Sequence, residues 1–146
     1  MAKVACIIDE GLDTSVSGQP KFYRVWSSGK LELWGTIQRT YTEANNNLIT
    51  GVFGTITGLP KLVGNGWSYK MDAAVQKAVM PSTMSTLSGE IYTCRAVLLT
   101  QTSLEIRIFP LVAQALTAPN NVVTLTVGWS IDGVIALATL PVRPVS

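Results

Sequence analysis

Apolar and polar residues alternate along most of this chain, and the pattern is sharpest from Tyr23 to Gly35, YRVWSSGKLELWG. Ser27, Ser28 and Gly29 form a three-residue loop in which Gly29 takes the left-handed conformation that closes a type I turn plus bulge. That turn fixes a register. Trp26 pairs with Lys30, Val25 with Leu31, Arg24 with Glu32, Tyr23 with Leu33 and Phe22 with Trp34. Alternation then puts Tyr23, Val25, Leu31 and Leu33 on one face, and Phe22, Trp26 and Trp34 around the charges of Arg24 and Glu32 on the other. A face carrying three rings is built to be covered.

The pattern continues in β periods on both sides. Lys3 to Ile8 is a short apolar strand followed by DEGLDTSVSGQ, a polar and acidic connector, so residues 1 to 19 are expected to precede a folded domain of residues 20 to 146. Thr36 to Thr42 alternates and ends at the turn material Glu43 to Asn47, and Leu48 to Thr57 reads as a strand loosened by Gly51 and Gly54. Residues 72 to 80 carry the one helical pattern, with Met71, Val75 and Ala78 or Val79 on one side and Pro81 as the stop. Ile91 to Leu99 and Leu104 to Phe109 make a second hairpin around Thr100 to Ser103. Val122 to Val127 and Val134 to Leu140 make a third, joined around Asp132-Gly133. Short strands at regular spacing argue an all-β antiparallel β-sandwich, with one short helix at most.

Composition adds one constraint. The 146 residues suit a single domain, yet only 14% are charged, against about 25% in ordinary globular chains. No apolar run approaches the ~18 residues of a membrane span, so membrane insertion is not expected. Apolar surface of this extent is most economically buried between identical subunits, which predicts a homo-oligomer. The net charge of +2 is spread along the chain and gives no footprint for nucleic acid. The apolar stretch Val4 to Ile8 is too short and too soon followed by Asp9 and Glu10 for a secretory signal, so synthesis in a cytoplasm is expected. Cys6 and Cys94 are isolated, suggesting neither a disulfide framework nor a zinc site, and Cys94 reads as a small core residue.

The chain contains no histidine, which removes the commonest general base, the commonest metal ligand and every Ser-His or Cys-His arrangement. Asp9, Glu10 and Asp13 fall in the connector, and Glu32, Glu90, Glu105 and Asp132 are single strand or turn residues, so paired-carboxylate chemistry is not expected. Gly64-Asn65-Gly66 lacks the helix start and Lys-Ser or Lys-Thr of a phosphate loop, and no calcium-loop spacing occurs. The expectation is a protein that is not an enzyme and uses no cofactor and no metal. Binding then rests on aromatic residues and polar loops. Phe22, Trp26 and Trp34 suit a dry subunit interface better than a ligand contact, and Trp129 reads as core. Trp67 and Tyr69, beside the Asn65-Gly66 turn, are candidates either for ligand contact or for packing, and Asn45, Asn46 and Gln101 supply hydrogen-bonding groups in loops.

The hairpin also carries a resemblance. An aromatic residue followed by W-S-x-G, an apolar residue, a variable one and a closing W-G resembles the hairpin of bacteriophage tail-fibre tips. The likeness covers Phe22 to about Thr42, with a weaker echo in Val127 to Gly133. It implies a receptor-binding β-sandwich at the end of a virion tail fibre, homotrimeric, touching a host surface glycan or an outer-membrane protein. Three copies would sum weak contacts through effective concentration. Residues 1 to 19 would then dock on another fibre protein, follow a separate translation start or begin at an artificial boundary. The alternative is a structural virion protein, a head-decoration or tail-assembly subunit with no receptor role.

Overall fold

The computed structural model describes residues 4–42, 51–63, 70–79, 92–110 and 122–135. Eight strands run through them: β1 (Ile7–Asp13), β2 (Lys21–Trp26), β3 (Lys30–Tyr41), β4 (Gly51–Ile56), β5 (Lys70–Val79), β6 (Tyr92–Thr100), β7 (Ser103–Pro110) and β8 (Val123–Val134). Five form one antiparallel sheet in the order β1-β2-β3-β8-β5, and three form a second in the order β4-β7-β6. The two pack face to face as the β-sandwich that the sequence predicts. Tyr23, Val25, Leu31 and Leu33 from the first hairpin, Leu125, Val127 and Ile131 from β8, and Leu104, Ile106 and Ile108 from β7 belong to one buried cluster.

The first hairpin has its expected register, from Phe22 opposite Trp34 to Val25 opposite Leu31. Gly29 adopts φ 86° and donates its N–H to the Trp26 carbonyl at 2.9 Å, as the turn chemistry requires. The hairpin of β6 and β7 also forms, turning at Gln101 and Thr102. Trp129 is core, at 3% exposure.

Three expectations are corrected. Residues 72 to 79 are strand, not helix: Met71, Ala73 and Val75 point inward at steps of two, and a bulge between Val75 and Lys77 makes the next inward step three, to Ala78. The spacing 71, 75, 78 thus imitates a helical stripe while arising from an interrupted strand. Asp132-Gly133 does not turn the chain. Both lie inside β8, where Asp132 is opposite Glu32 on one side and Lys70 on the other, and these long-range pairings override the local turn signal. The N-terminal strand lies at Ile7–Asp13, further along than Lys3 to Ile8, because Asp9 to Asp13 pair residue by residue with Lys21 to Val25. Asp9, Glu10 and Asp13 are therefore strand residues.

Side chains tie the sheets at their margins. The Gln19 amide donates to the Thr55 carbonyl at 2.8 Å and accepts from the Thr57 N–H at 3.0 Å, occupying the place of a backbone partner beside β4. Arg39 on β3 donates to the Val52 carbonyl at 2.6 Å. On the opposite face of the five-stranded sheet Phe22, Trp34, Thr36, Asp72 and Ala74 are exposed.

Candidate functional site

The register lays the outward face out in rows. One row runs Leu12, Phe22, Trp34, Ser130, Asp72 across all five strands. Phe22 stacks on Trp34 with centroids 5.9 Å apart and planes 15° apart, yet the rings remain 46% and 39% exposed, and Leu12 beside them 49%. Offset stacking of this kind holds both rings rigid without hiding them.

The next row holds the charges. Arg24 Nε lies 3.1 Å from Glu10 Oε2 and its Nη1 lies 3.7 Å from Glu32 Oε2, while Lys30 Nζ lies 3.2 Å from Glu32 Oε1. Glu32 also accepts from the Trp26 indole N–H at 3.1 Å. That hydrogen bond, with Lys30 and Arg24 nearby, holds the Glu32 carboxyl below the ordinary glutamate range. The guanidinium of Arg24 sits 5.9 Å from the Trp34 centroid and Lys30 Nζ 5.9 Å from the Trp26 centroid. The ion pairs are exposed and each contributes little stability, but together they orient Trp26 and Trp34.

Phe22 and Arg24 approach Trp34 from the β2 side. On its β8 side the face sinks into a hollow of about 250 Å³. The small residues Ala74 and Gly128, paired with each other, leave the space, and Trp34, Asp72, Gln76 and Ser130 line it with them. The Gln76 amide rests over Gly128 so closely that a β-carbon at position 128 would stand 2.1 Å from Nε2. Asp72, Gln76 and Ser130 make no side-chain hydrogen bond or ion pair among the described residues. Their donors and acceptors are turned to the outside.

Phe22, Trp26 and Trp34 are thus brought onto one face, as their spacing predicts. Gln101 is exposed in the β6–β7 turn of the other sheet and does not line the hollow. Asn45, Asn46, Trp67 and Tyr69 lie outside the described residues. Sequence reasoning missed Asp72 and Gln76 because it read their segment as a helix, and missed Ser130 because it ended the strand too soon. The signal was present in Thr124, Thr126, Gly128, Ser130 and Asp132, whose strict alternation with apolar residues marks a continuous outward face.

Among the described residues no three His, Cys, Asp or Glu side chains are grouped to hold a metal ion, and no helix is long and apolar enough to cross a membrane. Compared with models of known protein families, with curated proteins and with solved structures, the chain matches none.

Proposed function

We propose that this chain is a receptor-binding tip resembling those of bacteriophage tail fibres, working as a homotrimer that recognises a glycan or an outer-membrane protein on the host surface. The observation that carries the reading is the stacked, half-exposed pair Phe22 and Trp34 on the outward face of the five-stranded sheet. Rigid aromatics held at a solvent face are anchors for another molecule. The face divides at Trp34: Leu12 and Phe22 toward the β1 edge meet a sister subunit, and the polar remainder toward β8 and β5 stays free for the host. On this reading the protein binds and does not catalyse, its place is the virion tail, and it needs no cofactor or metal.

Light scattering on the native protein tests the assembly, and adsorption of the labelled protein to a panel of bacterial strains tests recognition. Three copies that adsorb to some strains support the reading; a stable monomer that adsorbs to none overturns it. A polysaccharide incubation that releases reducing ends would replace binding by catalysis.

A second reading, a structural virion subunit, draws on β1. Val4, Ile7, Ile8 and Leu12 are 89%, 42%, 49% and 49% exposed on or beside β1, the outer strand of its sheet among the described residues, a surface suited to another virion protein. Alanine replacement of Asp72 and Gln76 separates the two. Lost adsorption with an intact oligomer favours recognition, and unchanged adsorption with lost particle assembly favours the structural role.

A further inference from the structure

We infer that the hollow beside Trp34 is a subsite for one neutral pyranose ring. This deepens the recognition reading, on which its biological use rests, by naming the ligand class and the residues.

Size is the first argument. About 250 Å³ falls below the ~300–1,000 Å³ of sites for drug-sized ligands and suits a single sugar ring. Geometry is the second: Trp34, Ser130 and Asp72 occupy one row on three neighbouring strands, which are about 4.8 Å apart. An indole therefore stands roughly 10 Å from a carboxylate, with a hydroxyl between them. A pyranose leaning its C–H face on Trp34 extends its hydroxyls over Ser130 to Asp72, with the Gln76 amide reaching them from the next row.

Chemistry is the third argument. The carboxylate accepts from sugar hydroxyls, the amide both donates and accepts, and the serine hydroxyl does either, the mixture that a ring of hydroxyls requires. The same carboxylate repels uronic acids, sialic acids and phosphates, so the ligand is not an anionic sugar. An extended peptide is a poor fit, because strand addition needs an unpaired sheet edge and this hollow lies over β8, paired on both sides. The unengaged state of Asp72, Gln76 and Ser130 completes the picture: three polar side chains surround the hollow with no partner among the described residues.

The test uses the whole chain, isotopically labelled, with maltohexaose, cellohexaose, mannohexaose and chitohexaose each added to about 10 mM, since single-ring contacts bind near the millimolar range. At least one hexaose should move the Trp34 indole N–H and Gln76 amide resonances saturably and leave the Trp26 indole unmoved. Gln76→Ala and Gly128→Ala, the second by displacing the Gln76 amide, should each weaken that binding about tenfold or more. The inference is overturned if none of the four sugars moves these resonances, or if both variants titrate as the parent does. Strain adsorption, run in parallel, keeps the two readings apart. A protein that adsorbs to cells yet binds no hexaose loses the subsite alone, and one that binds a hexaose yet adsorbs to no strain loses the recognition reading alone.

Discussion

Trp129 packs its indole against the α-carbon of Gly35, its cross-strand partner on β3, and so links the closing W-G of the hairpin to the late tryptophan of β8. A β-carbon at position 35 would stand 3.1 Å from Trp129 Cζ2 and 2.7 Å from the Pro20 carbonyl oxygen. Backbone on one side and a buried ring on the other leave no room to yield. Gly35→Ala is expected to cost about 2–3 kcal/mol in urea unfolding. Gly128→Ala meets only the flexible end of Gln76 and is expected to cost under about 1 kcal/mol. Equal losses at the two glycines would contradict this packing.

The contrast explains what was legible in the sequence. Phe22 to Gly35 could be read residue by residue because turn chemistry, alternation and charge pairing all agree within these 14 residues. Asp132-Gly133 could not, because the decision there belongs to Glu32 and Lys70, which lie 100 and 62 positions before Asp132 in the chain, and turn propensity has no knowledge of them. The aromatic half of the candidate site lies in the legible hairpin. Its polar half, Asp72, Gln76 and Ser130, is assembled by pairing between distant strands.

The bulge in β5 makes its own prediction. Gln76 is the extra residue between Val75, opposite Val127, and Lys77, opposite Thr126. Deleting it turns an interrupted strand into a regular one and keeps Ala78 inward. The deletion variant should unfold cooperatively with a loss of about 1 kcal/mol or less in urea. Had this segment been a helix, the deletion would rotate Ala78 off the core and abolish cooperative unfolding.

Acid should weaken the outward face through Glu32. Its carboxyl is held below the ordinary value of 4.5, chiefly by the Trp26 indole N–H and then by Lys30 and Arg24. A lowered folded-state value means that the unfolded chain takes up the proton first as pH falls, so this contribution is present above 4.5 and is lost below it. Thermal unfolding between about pH 6 and pH 3 should therefore fall more steeply for the parent than for Glu32→Gln. Parallel curves would show that the carboxylate contributes nothing.

The two thiols report on the second sheet. Cys94 on β6 is opposite Ile108 and half-buried against the core, and burial pushes its thiol up to about 11, while Cys6 is exposed near the start of the described chain. Only the thiolate attacks a disulfide reagent, and at pH 8 a thiol of that value is ionised in roughly one molecule in a thousand. Access to a half-covered sulfur slows it further. Ellman's reagent at about pH 8 should therefore titrate one fast thiol in the native protein and the second only in denaturant. Cys6→Ser should erase the fast phase, and Cys94→Ser should leave it untouched. Two fast thiols in the native parent would mean that β6 does not lie on the core as the sandwich requires.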